Sequence, residues 1–227
     1  MSSFRQGLFG ALRALASPEG ALPLALGLLC CALSAWLERN FVEPNALDRA
    51  LWRDSFGLWL PLCAFAVVKR VSGGARLEAA TRGTARHAGR RRATLMGACA
   101  AILAVLACAG LCFALATVLV ARPDGQRGLL NELLLSGWIG AFAGVAYGAW
   151  LSFASGFGRR GRRLTFLGLD LIFGSSVGAW ALPFPRAHIR NLLGGAPPLG
   201  LPQLASTGLI LAAIALILAV TAVRVPE

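Results

Sequence analysis

Charge is scarce in this chain: only 14% of its 227 residues are charged against 57% apolar, with a mean hydropathy of +0.68. That balance excludes a water-soluble domain of ordinary composition. Lysine is nearly missing, since Lys69 stands alone among 22 basic residues and the rest are arginine; the bias looks like GC-rich coding in a bacterium and carries no mechanism. No Cys-x-x-Cys pair occurs, and Cys30, Cys31, Cys63, Cys99, Cys108 and Cys112 all lie in apolar runs without a nearby histidine. This excludes the familiar thiolate metal sites and leaves the cysteines as small apolar residues. There is no Walker A sequence, so this chain does not hydrolyse ATP by the P-loop route. Gly174-Ser175-Ser176-Val177 lacks the glycine after serine, and the histidine on another span, that an intramembrane serine protease needs. The two histidines fall on opposite sides of the topology derived below and cannot bracket a haem.

What the chain does have is long apolar runs without strict alternation. Lipid offers no partner to backbone N–H and C=O groups, so such runs must satisfy their own, which predicts an all-α polytopic membrane protein rather than a barrel. The runs place six transmembrane spans at about 21–37, 47–68, 93–121, 133–157, 164–182 and 204–223, in one transmembrane domain covering the chain. Span three is longer than the roughly 20 residues a crossing needs, so it is expected to tilt or protrude. Before them, Phe4, Leu8, Leu12 and Leu15 recur at helical spacing. Residues 1–20 therefore read as an amphipathic interfacial helix, not a cleaved signal peptide.

Sidedness follows from the arginines. With the N-terminus inside, the cytoplasmic pieces hold 15 basic residues and the outer loops 7, the asymmetry that insertion favours. Six spans return the C-terminus to the cytoplasm. Trp36, Trp52, Trp138 and Trp180 fall near outer span ends, where an indole prefers the interface.

Four features carry candidate function. Span four aligns Ser136, Gly140, Gly144, Gly148, Ser152 and Gly156 at four-residue spacing, and span five adds Gly174 and Gly178; small residues so spaced serve close helix packing, or line a subunit interface or a pathway. Asp170 is the one acid inside the spans other than the second, either a coupling or proton-linked site or the ionic partner of an inner-loop arginine such as Arg163. The connection at 69–92 carries Arg76, Glu78, Arg82, Arg86, Arg90, Arg91 and Arg92. It suits anionic lipid headgroups or a cytoplasmic partner, whereas nucleic acid is disfavoured because no aromatic residue is interleaved for stacking. Residues 183–203 form a Pro/Gly-broken outer segment, expected to be re-entrant or interfacial, with His188 and Arg190 at its centre; a lone histidine there reads as a surface residue before it reads as a base.

This order of parts resembles the ABC-2 type permease subunit of ABC transporters, over nearly the whole chain and at the level of layout. Arg76-Leu77-Glu78, then Arg82-Gly83-Thr84 and the basic entry to span three, look like the family's coupling helix, although Ala88-Gly89 stand where the family commonly has a proline. Gly194 to Pro198 is similar to the turn before the family's last span. The resemblance implies an exporter in a bacterial inner membrane that forms a homodimer or heterodimer with a second permease. It also implies a separate ABC ATPase subunit docked on the basic connection, with ATP and magnesium on that subunit and no cofactor bound by this chain. A non-transporting scaffold or assembly factor with a basic docking surface is the competing expectation, and a lipid-directed enzyme is disfavoured by the lack of paired acids and histidines.

Overall fold

The computed structural model describes residues 2–41, 46–80, 91–122, 128–157 and 162–223, all of them helix, turn or coil with no strand. Eight helices organise them: α1 Ser3–Ala16, α2 Pro18–Phe41, α3 Ala46–Val71, α4 Arg91–Ala121, α5 Leu129–Ser155, α6 Arg163–Phe173, α7 Pro185–Leu192 and α8 Gln203–Val223. Five of these, α2, α3, α4, α5 and α8, are long and apolar enough to cross a membrane. The protein is thus an all-helical membrane protein by its composition and element lengths.

The bundle is built around α4 and α5, whose contact is set by the absence of side chains. A Cβ at Gly110 would strike the Gly140 carbonyl, and one at Gly144 would strike the Leu106 carbonyl. The two backbones therefore touch, as small-residue seams allow in membranes where dispersion replaces the hydrophobic drive. Gly148 sets against Leu103 and Leu106, so Gly140, Gly144 and Gly148 are spent on this intrachain contact. Leu60, Val67, Leu95, Ile102, Phe113 and Leu151 fill the core around the seam.

Ion pairs mark the two ends of the bundle. At one end Arg70 pairs with Glu19 and donates to Ser17 Oγ at 3.2 Å. At the other, Arg122 pairs with Glu132 at 2.9 Å, Arg39 donates to the Val120 carbonyl at 3.4 Å, and Arg53 stands 4.0 Å from Glu38. The first, which we call the N-terminal face, also carries α1. That helix packs on α4 through Gly7, Ala11 and Leu15, with Gly7 against the Thr94 backbone and Gly97 against Phe4. The stripe expected to face lipid, Phe4, Leu8, Leu12 and Leu15, is thus turned partly inward, because glycines at 7 and 97 let the helices meet there. With 31 residues, about 46 Å at 1.5 Å per residue, α4 reaches past the hydrocarbon core to meet it.

The expected fifth span, 164–182, is one continuous helix only as far as Phe173. The Ser175 hydroxyl donates to the Leu171 carbonyl at 3.1 Å and Ser176 to Phe173 at 2.9 Å, side-chain competition that ends helices. Pro183 and Pro185 then bar re-entry until α7. Gly174 and Gly178 accordingly do not form a stripe on one helix; Gly174 is a close-contact position and a side chain at Gly178 would meet open space.

Candidate functional site

The break between α6 and α7 creates the polar centre of the bundle. Seven residues beyond its start, α6 presents Asp170, fully buried. Its Oδ1 accepts the backbone N–H of Arg186 at 3.2 Å, one of the orphan donors of the first turn of α7. A carboxylate from one helix therefore caps another, at the end where the macrodipole favours negative charge. The approach needs Gly174, where a Cβ would come within 2.8 Å of Arg186 Cβ.

The Arg186 side chain turns the other way, to the Gly57 carbonyl of α3. Gly57 lies in the π-helical stretch Ala50–Trp59, where the helix is wider than an α-helix. A side chain at Gly57 would stand 2.9 Å from Arg186 Nη2, so the glycine is what admits it. One residue thereby ties α3, α6 and α7 together.

Tyr147 of α5 completes the centre. It is buried and interacts electrostatically with both Asp170 and Arg186, yet neither its hydroxyl nor Asp170 Oδ2 is aligned for a hydrogen bond among the described residues. Around it an aromatic cluster clamps the short α6 onto α5: Trp150 lies 5.0 Å from Phe166 and 5.7 Å from Phe184, ring to ring, and its Nε1 donates to the Phe166 carbonyl at 3.3 Å.

Arg163 is not the partner of Asp170. The two are about 10 Å apart along α6, and helical side chains lean toward the N-terminus, which carries Arg163 away. It is buried and donates to Ser72 Oγ, to the Ala75 carbonyl at 2.9 Å and to the Gly74 carbonyl at 3.0 Å. This guanidinium, with its fixed fork of donors, binds the turn after α3 to the foot of α6. Beyond that turn, Leu77 is buried in the core, and Glu78 lines a small pocket with Ser152, Phe153 and Thr221. Arg76 is half-buried, while Arg91 and Arg92 are exposed at the start of α4. Arg82, Arg86 and Arg90 lie outside the described residues.

On the opposite face His188 is buried rather than superficial, and both ring nitrogens are engaged. Nε2 lies 2.8 Å from the Leu182 carbonyl and so must donate to it; Nδ1 lies 3.1 Å from Ser206 Oγ. Asn191 reaches the same hydroxyl at 2.8 Å and the Leu201 carbonyl at 2.9 Å. This network pins α7 to the start of α8, with the Nδ1 lone pair of His188 turned to the Ser206 hydroxyl. Arg190 donates to the Ser175 carbonyl at 3.0 Å, and its guanidinium carbon sits 5.5 Å above the Trp52 ring.

Among the described residues no group of three or more His, Cys, Asp or Glu side chains is arranged to hold a metal ion. Sequence reading picked out Asp170 and passed over Gly57, Tyr147 and Arg186. The available signal was faint: the only tyrosine of the chain, in mid-span. Comparison with protein-family models, with characterised proteins and with solved structures finds no match to this chain.

Proposed function

We propose that this protein is the membrane-spanning permease subunit of an ABC-2 type transporter, an exporter that pairs with a second permease and is driven by a separate ATP-hydrolysing subunit. The observation that carries the reading is a continuous mechanical path. Arg163 grips the turn at Ser72–Ala75 where the basic connection begins, Asp170 on the same helix grips the N-terminus of α7, and Arg186 there grips mid-α3. A push on the connection is thereby delivered to the broken element inside the membrane, as rigid elements with discrete contacts transmit motion.

In this reading α6, the break and α7 together make the fifth of six crossings. The N-terminal face, with 15 of the 22 basic residues, is cytoplasmic, both termini lie there, and the membrane is the bacterial inner membrane. ATP and magnesium stay on the partner, which docks at the basic connection that carries Arg76, Glu78, Arg82, Arg86, Arg90, Arg91 and Arg92. Its dimerisation shifts the populations of inward- and outward-open states by binding them unequally. The chain supplies positioning and no covalent step.

The test co-expresses the protein with any Walker-motif ATPase that a neighbouring reading frame encodes. Co-purification that is lost on Glu78→Arg, or on reversing Arg90 to Arg92, together with ATP-dependent export from reconstituted vesicles, is the expected result. ATPase binding indifferent to these changes removes the mechanism. Binding that depends on them without ATP-dependent transport makes the protein a docking scaffold instead.

A further inference from the structure

On the lipid-facing side of α1, α2 and α4 lies an open apolar groove of about 510 Å³, within the roughly 300–1,000 Å³ that small-molecule sites occupy. Leu24 and Leu28 of α2 form one wall, Ala104, Cys108 and Cys112 of α4 the other, and Leu12 of α1 closes one end. The small residues of α4 recur every four positions, so the floor stays low over two helical turns. Cys108 and Cys112 are exposed and unbonded.

Depth and length identify the occupant. Leu24 and Leu28 stand about 9–15 Å along α2 from Pro18, beside the Glu19–Arg70 pair that marks the N-terminal face. Along α4 the groove runs from Ala104 to Phe113, about 14 Å, half of the ~30 Å hydrocarbon core. A helix from a second copy needs an open seam across the whole membrane, and here α1 bars the way at one end. One acyl chain of one leaflet fits both dimensions.

Charge identifies the headgroup. α1 contains no acidic residue, and neither does the first turn of α4. Arg5 and Arg13 flank Phe9 at four-residue spacing on the exposed stripe of α1 adjoining Leu12, and Arg91 is exposed on the α4 turn that α1 crosses. We infer that this groove is a binding site for one anionic phospholipid of the leaflet on the N-terminal face. Its acyl chain lies between Leu24–Leu28 and Ala104–Cys112, and its phosphate lies against Arg5 and Arg13. The site is independent of the transport reading and holds for any function of the bundle.

The experiment places the full-length protein in nanodiscs with phosphatidylglycerol carrying a photoactivatable diazirine on its acyl chain, or with phosphatidylcholine labelled alike. The expected adducts map to residues 24–28 and 104–113, and labelling by phosphatidylglycerol exceeds that by phosphatidylcholine, at roughly fivefold per arginine engaged. Arg5→Ala with Arg13→Ala brings phosphatidylglycerol down to the phosphatidylcholine level. Ala104→Trp, or Cys108→Phe if that variant fails to fold, abolishes the adducts for both lipids. Equal labelling by the two lipids in the unaltered protein overturns the headgroup assignment, and adducts that survive the groove-filling variants overturn the site. Efficient disulfide formation between Cys108 or Cys112 of two copies, unaffected by lipid, makes the groove a protein interface and also overturns it.

Discussion

At the residue scale the bundle depends on single polar side chains that each satisfy backbone groups from a different element. Asp170 supplies the acceptor for the first turn of α7, so Asp170→Asn, which keeps an acceptor, is expected to fold. Asp170→Leu is expected to lose about 1 kcal/mol or more, the usual cost of losing an N-cap. Hydrogen–deuterium exchange should show the loss first in residues 184–192. Arg163 is more exacting, because three acceptors converge on one planar group. Arg163→Ala should cost on the order of 2–3 kcal/mol, and Arg163→Lys should recover only part of it, a point charge being unable to reproduce the fork. Limited proteolysis of the connection at 73–92 reads this directly, with faster cutting expected for both variants and the alanine form the faster. If cutting rates do not change, Arg163 is not the strut.

Elements come next, and here the α4–α5 seam and the α6–α7 break behave in opposite ways. The seam is closed to added volume: Gly144→Leu must separate two touching backbones and should exceed the 1–3 kcal/mol typical of overpacking, giving little monodisperse protein on size exclusion. Gly178→Ala lies in open space and should leave thermal stability within about 0.5 kcal/mol. Both glycines belong to four-residue spacings of small residues in the sequence, so the contrast separates a spacing that packs from one that does not. Along the chain, long apolar runs pointed to the helices α2, α3, α4, α5 and α8, because such a run needs only itself to be helical. The ending of α6 was hidden because Gly174-Ser175-Ser176 sits inside an apolar run, and serine ends a helix only where its hydroxyl turns back on the main chain. The inward face of α1 was hidden for a related reason. Its leucine stripe is visible in the sequence, but the decision lies with Gly7 and with Gly97, 90 residues away on α4.

For the whole molecule, the governing quantity is the uneven share of the 22 basic residues among the connections of the chain. In a background freed of the native cysteines, Lys69→Cys and Ala196→Cys place one thiol at each face, both at exposed positions. An impermeant maleimide applied to intact cells is expected to label Ala196→Cys and to reach Lys69→Cys only after lysis. The reverse pattern would invert the bundle and with it the docking surface.

The sequence by itself determined that this chain is helical, that several of its runs are long and apolar enough to cross a membrane and which connections are basic, because hydropathy and charge belong to each residue wherever it lands. Only the tertiary structure decided that Asp170 caps α7 rather than pairing with Arg163, that His188 is a buried pin, and that Arg186 finds Gly57. Those outcomes depend on which helices meet, across separations of 16 to 129 residues, and in an apolar interior a polar group takes whichever partner the packing brings within reach.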